Sequence, residues 1–291
     1  MSPSTPDAIQ SHGVQNVAVS TTPEAPRWSR YVAIGDSFTE GLWDSPDGSA
    51  GPASPDGELR GWADQLAGAL SARRVAGGEA PLEYANLAIR GRRLRSILGE
   101  QVPAAIEAGA DLVSLVGGGN DILRPSADVD RLARNLEAAV ARLRASGADV
   151  LLGTGFDPNG SPLVRATRTR IGVYNTHIWS IARRQGAHVV DLWGMRSLGD
   201  WRMWSDDRIH LTTDGHTRVA QAALVGLGLE PDSADWDDPL EALPPVPRLA
   251  RVREDAAWFR AHVYPWATRR LRGKSSGDLR VPKRPELSAV E

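Results

Sequence analysis

The chain has 291 residues, 41% of them hydrophobic, enough for one large domain or two small ones with a sizeable core, which excludes disorder along its whole length. Its 34 Lys and Arg against 36 Asp and Glu give a formal charge of −2, which excludes a global basic field for nucleic acid and a strongly acidic one alike. The absence of cysteine excludes a disulfide framework, a thiolate nucleophile and any Cys-ligated zinc or iron–sulfur centre, so acid–base or metal chemistry falls to six histidines.

Residues 1–28 carry Pro3, Pro6, Pro23 and Pro26 and no hydrophobic period, and read as a disordered or loosely docked arm. They hold no apolar run of signal-peptide length, and no stretch elsewhere reaches membrane-spanning length. The expectation is therefore a cytoplasmic protein without stable membrane association. From Tyr31 onward, short apolar runs ending in Gly or Asp alternate with segments of helical period, the pattern of βαβ units around a parallel sheet. Strands are expected at Arg30–Gly35, Leu82–Leu87, Leu112–Val116, Asp149–Gly153 and His188–Leu192, all apolar enough to be covered on both faces. Helices are expected at Trp62–Arg74, Leu94–Ala108, Leu163–Arg184 and Thr213–Leu227. A further one is marked by the stripe Leu132, Leu136, Val140 and Leu143. This α/β domain, with a five-stranded parallel sheet, fits within residues 29–229. Residues 230–291 then read as a Pro- and Asp-rich linker, a helix near Leu249–Leu271 and a basic tail, packing on the domain as a C-terminal extension.

The sharpest motif is Gly35-Asp36-Ser37-Phe38-Thr39-Glu40-Gly41, in which a buried strand stops at a glycine and presents a serine at its carboxyl end. That edge of an open α/β sheet is where ligands bind, and a following helix start offers backbone N–H groups to a developing oxyanion. Taken alone, an Asp-Ser pair here is more often a helix cap. Asp207-Arg208-Ile209-His210 follows the last strand, and its spacing lets a carboxylate fold back on an imidazole and fix its tautomer. Gly91 after the second strand and Asn120 in Gly117-Gly118-Gly119-Asn120-Asp121 after the third are oxyanion-donor candidates; an ordinary turn and a helix cap are their alternatives.

Together these blocks resemble the SGNH (GDSL-type) serine hydrolases: Gly35-Asp36-Ser37 the first block, Gly91 the second, Gly118-x-Asn120-Asp121 the third and Asp207-x-x-His210 the last. The resemblance implies a flavodoxin-like three-layer α/β/α fold, with Ser37 as nucleophile, His210 as base and Asp207 as its orienting acid. It also implies an oxyanion hole from the N–H of Ser37, the N–H of Gly91 and the side chain of Asn120. It reaches neither the first thirty nor the last sixty residues.

Competing motifs fail. No Gly-x-Ser-x-Gly elbow is present, and Gly273-Lys274-Ser275 has Thr268 where a phosphate loop needs glycine. Gly117-x-Gly119 and Gly153-x-Gly155 meet Ile122 and Pro158 at the third glycine position of a dinucleotide fingerprint. His12, His177, His188, His216 and His262 are scattered, so neither a metal nor another cofactor is expected. The Pro- and Gly-rich Leu42–Arg60 reads as a long loop beside the nucleophile that walls a pocket or is merely solvated. Trp193, Trp201 and Trp204 read as an acyl- or sugar-binding wall or as core, and Trp258, Phe259, Tyr264 and Trp266 as docking contacts of the last helix. The expected activity is hydrolysis of small carboxylic esters, short-acyl or O-acetyl, through an acyl-enzyme. Acyl transfer to a sugar or alcohol, lysophospholipase or thioesterase activity and a silent binding module remain as alternatives, and homo-oligomerisation stays open.

Overall fold

Strand β1 (Arg30–Gly35) runs through the middle of the sheet, and its side chains alternate between two separate apolar layers. Tyr31 and Ala33 pack on one face with Leu112, Leu151, Trp62, Leu66 and Val219; Val32 and Ile34 pack on the other with Val113, Val150, Leu136, Val140 and Ile178. This period of two, with both faces apolar, makes it a central strand. The computed structural model describes residues 26–45, 58–160, 164–244 and 277–290, together with positions 258, 260 and 261. The arm up to residue 25, most of the Leu42–Arg60 loop, most of the helix expected near Leu249–Leu271 and the Gly273-Lys274-Ser275 triplet lie outside the described residues.

The other strands are β2 (Glu83–Asn86), β3 (Leu112–Val116), β4 (Asp149–Gly153), β5 (His188–Val190) and β6 (Arg284–Ala289). They lie in the order β5-β4-β3-β1-β2-β6, and the first five are parallel. Order 2-1-3-4-5 is the flavodoxin-like arrangement, whose ligand crevice opens at the carboxyl ends of the strands where the order reverses, between β1 and β3. The helices are α1 (Ser37–Glu40), α2 (Trp62–Ala76), α3 (Leu94–Ser96), α4 (Val102–Glu107), α5 (Gly119–Ile122), α6 (Val129–Ala145), α7 (Arg168–Gln185) and α8 (Thr213–Gly226). Helices α2 and α8 cover one face, and α6 and α7 the other. Full burial of Trp62, Leu66 and Leu70 on α2 contributes about 1.5–3 kcal/mol per side chain.

Three sequence expectations change. The sheet has six strands, not five, because Arg284–Ala289, within what reads as a basic tail, pairs antiparallel with β2. Its sequence, Arg-Pro-Glu-Leu-Ser-Ala, has no apolar alternation and carries a proline, both tolerated on an edge strand whose outer side faces water. The helix expected from Leu163 starts at Arg168, after a single tight turn over Arg165–Thr167, and the helix expected over Leu94–Ala108 is interrupted by a π-helical stretch, Ile97–Gln101. That stretch has a use. Gln101 on it accepts from the Gly35 N–H at 2.7 Å and donates to the Gly35 carbonyl at 3.0 Å, pinning the end of β1 just before Ser37.

Candidate active site

The chain leaves β1 at Gly35, and Asp36, extended in conformation, caps α1 by accepting from the Phe38 N–H at 3.2 Å. The cap is therefore Asp36, which leaves the half-buried Ser37 hydroxyl free to face the crevice. His210 arrives from the turn after β5. In that turn the isolated bridge between Trp204 and Leu211 and the Ser205 N–H to His210 carbonyl bond at 2.8 Å close a loop whose tip, Arg208, is left-handed at φ 56°.

Ser37, Asp207 and His210 come together although 173 residues separate Ser37 from His210. His210 Nε2 lies 2.9 Å from Ser37 Oγ, and His210 Nδ1 lies 2.6 Å from Asp207 Oδ2. Asp207 Oδ1 accepts from the Ser205 hydroxyl at 2.8 Å and from the N–H groups of Ile209 and His210, both at 2.9 Å. The spacing of three residues thus wraps the backbone around one carboxylate oxygen and leaves the other for the imidazole. Burial pushes the Asp207 carboxyl up, but the His210 charge, its hydrogen bond and the two backbone donors outweigh this and hold it well below the usual carboxylate range. A carboxylate that stays ionised fixes the imidazole tautomer with Nε2 facing the hydroxyl, the arrangement in which a serine proton is transferred.

The two oxyanion-donor candidates sit at the ends of the neighbouring strands β2 and β3. Asn120 lies inside α5 rather than at its cap, which is Gly118 at φ 103°; a Cβ at Gly118 would stand 2.9 Å from the Tyr174 hydroxyl. The Asn120 amide donates to Asp36 Oδ2 at 3.0 Å and to the Arg92 carbonyl at 3.1 Å, so it is tied to the residue that precedes Ser37. Gly91 sits in a turn at φ 75°, a backbone conformation that favours glycine. The residue before it, Arg90, is buried against Glu40 of α1: Glu40 accepts from the Arg90 N–H at 2.7 Å and from its guanidinium at 2.7–3.0 Å. This ion pair ties the Gly91 turn to the helix that begins at Ser37.

Four residues here have roles that the sequence does not disclose: Asp36 and Glu40 read only as part of the Ser37 block, Arg90 only as the neighbour of Gly91, and Trp43, whose indole N–H reaches Asp207 Oδ2 at 2.7 Å, is separated from it by 164 residues. Asp36 is the electrostatic outlier. Burial raises its carboxyl to about 6, against the lowering by the Phe38 N–H, the His210 charge and Asn120. A raised folded-state value means a stabilising contribution that is complete below the unfolded value near 3.8 and lost as pH rises through about 6. Asp36→Asn keeps a cap acceptor and removes the buried charge. We expect it to raise stability at pH 8 by up to about 3 kcal/mol and to have no such effect at pH 4, as read by denaturant melts. Equal melts for both proteins at pH 8 would contradict this.

The tryptophans divide. Trp204 is core: its indole donates to the Leu198 carbonyl at 2.8 Å and its ring lies 4.5 Å from Phe156. Trp201 is 41% exposed, and Arg208 lies over both its ring, at 5.5 Å, and that of Trp258, at 4.9 Å. Trp193 carries Arg168 at 5.3 Å. His216 is buried and accepts from the Trp62 N–H at 3.2 Å; burial first, then the Lys283 and His210 charges, lower it to about 3, so it is neutral. Among the described residues no helix is long and apolar enough to cross a membrane.

A family model described as "GDSL-like Lipase/Acylhydrolase family" matches residues 33–218. No curated protein matches the chain. Among solved structures, a variant of Axe2, an acetyl xylan esterase from Geobacillus stearothermophilus, is 21% identical with TM-score 0.57, covering 71% of this chain and 97% of its own. LAE5, an alpha/beta hydrolase enzyme from the metagenome of Lake Arreo, Spain, is 26% identical with TM-score 0.55, covering 69% and 95%. TesA is 24% identical with TM-score 0.51, covering 68% and 97%.

Proposed function

This chain belongs to the GDSL-like lipase/acylhydrolase family and is a serine ester hydrolase, and from that membership we propose that Ser37, His210 and Asp207 carry hydrolysis of small carboxylic esters through an acyl-enzyme. The observation that carries the reading is the unbroken row Ser37 Oγ, His210 Nε2, His210 Nδ1 and Asp207 Oδ2, with separations of 2.9 and 2.6 Å. Ser37 attacks the ester carbonyl while His210 takes its proton; His210 then gives that proton to the leaving alcohol, and water repeats the cycle on the acyl group. Asp207 stays ionised and supports the imidazolium. The tetrahedral oxygen is held by the N–H groups of Ser37 and Gly91 and by the Asn120 amide, which exchanges one of its resting bonds for the oxyanion. In this reading the hydrolase domain spans residues 29–229, and Arg284–Ala289, from the chain beyond it, supplies the sixth strand.

The acyl group we assign is short, acetyl to butyryl. A bulky side chain stands at the site, with Trp43 beside His210 at 6.2 Å between ring centroids, and Trp201 lies under Arg208 of the His210 turn. A chromogenic ester series from acetyl to palmitoyl, with Ser37→Ala as control, tests both parts. Highest kcat/KM is expected at two to four acyl carbons and none in the control; a preference for ten or more carbons overturns the chain-length assignment.

A further inference from the structure

Trp43 is one of two non-glycine residues among those described with a left-handed backbone, at φ 72°. For a bulky aromatic this conformation is strained, on the order of 1–3 kcal/mol, and persists only where the surroundings over-determine it. They do so here. Gly41, itself left-handed at φ 84°, is pressed against Gly61, where a Cβ would stand 2.5 Å from the Gly41 Cα. On the other side, Asp44 is fully buried; its Oδ1 accepts from the Thr213 hydroxyl at 2.6 Å and its carbonyl from the Arg60 N–H at 2.9 Å. The turn is clamped on both flanks, and the side chain it projects meets two groups of the site. The indole N–H donates to Asp207 Oδ2 at 2.7 Å, the same oxygen that His210 Nδ1 contacts at 2.6 Å. The indole ring stands at 89° to the imidazole, with centroids 6.2 Å apart.

We propose that Trp43 is a positioning residue of the hydrolytic site, whose indole N–H sets the direction of the Asp207 carboxylate and moderates the pull of that carboxylate on the His210 imidazole. The inference rests on the reading of Ser37, His210 and Asp207 given above. Oδ2 is shared between two donors, so part of its charge is spent on the indole. With the indole donor gone, Oδ2 interacts more strongly with the imidazolium that forms when His210 takes the Ser37 proton. The carboxylate also loses one of the two contacts that aim Oδ2, so proton transfer from Ser37 slows. The other titratable groups coupled to His210 are Asp36 and His216, which is neutral; Arg208 and Asp206 share its turn. None of these is altered by a change at Trp43.

The test uses the full chain and the pH dependence of kcat/KM on a short chromogenic ester. Trp43→Phe keeps an aromatic ring and removes the donor; we expect kcat to fall about 10- to 50-fold with KM within about twofold, and the acidic limb of the profile to move up by roughly half to one pH unit. Trp43→Gly suits the left-handed backbone, so it should fold at least as stably as the parent while losing as much activity, which separates the catalytic effect from misfolding. In an Asp207→Asn background Trp43→Phe should cost nothing further, since the two act as a unit. An unchanged profile and kcat in Trp43→Phe, or the full 10-fold loss persisting in the Asp207→Asn background, overturns the proposal. Full activity in Ser37→Ala would instead overturn the reading on which it rests, so the two failures are told apart.

Discussion

Ser37→Ala and His210→Ala are each expected to lose about 10⁴- to 10⁶-fold in kcat on a short ester while remaining folded. The first removes the attacking oxygen and nothing else: Ser37 is half-buried at a strand end, and its hydroxyl contact is to His210 Nε2. The second removes the proton acceptor. It does not strand Asp207, because the carboxylate keeps four of its five donors, namely the Ser205 hydroxyl, the N–H groups of Ile209 and residue 210, and the Trp43 indole. A buried anion left without donors would have cost several kcal/mol, so this retained shell is why the fold survives. Combining the two substitutions should cost little more than either alone, because they act on one proton transfer. Circular dichroism with steady-state kinetics checks both halves; a folded Ser37→Ala protein with parental turnover would exclude the mechanism.

Asn120 separates charge stabilisation from scaffold. Asn120→Ala should lower kcat about 10²- to 10³-fold with KM changed only a few-fold, since the negative oxygen exists only in the tetrahedral state. Asn120→Asp should be worse. The Asn120 amide lies 3.0 Å from Asp36 Oδ2, so an ionised aspartate there would meet a second carboxylate and offer the oxyanion no donor. The two acids would share one proton, and the loss should therefore be smaller at pH 5 than at pH 8. Parental activity in Asn120→Asp at pH 8 would remove this residue from the reaction.

Much of the molecule is legible in its residue order. The bounds of β1, β3 and β4 follow from apolar runs that stop at glycine or a charged residue, and α6 from the stripe Leu132, Leu136, Val140 and Leu143. These elements bury enough apolar surface to be set by local pattern alone. Strand β6 is not legible, because an edge strand draws its stability from backbone pairing with β2 and leaves no side-chain period to read. The π-helical turn at Ile97–Gln101 is hidden for a similar reason: it is justified by the two bonds of Gln101 to Gly35, 66 residues away.

By itself the residue order determined the family blocks and the parallel α/β class and singled out Ser37, Asp207 and His210 as candidates, since each block is a local run shaped by its own turn. Asp207-x-x-His210 carries its geometry within four residues, where the carboxylate can collect the nearby N–H groups whatever the rest of the chain does. Only the tertiary structure decided that Asp36, not Ser37, caps α1 and raises its carboxyl toward neutrality, that Asn120 rests on Asp36, and that Glu40 clasps the turn carrying Gly91. It alone placed Trp43 on Asp207. The Asp36 cap spans only two residues, but the burial of Asp36 and the contacts of Asn120, Glu40 and Trp43, 50 to 164 positions from their partners, share one reason: they depend on which strand ends the sheet order brings side by side, and no local pattern encodes that order.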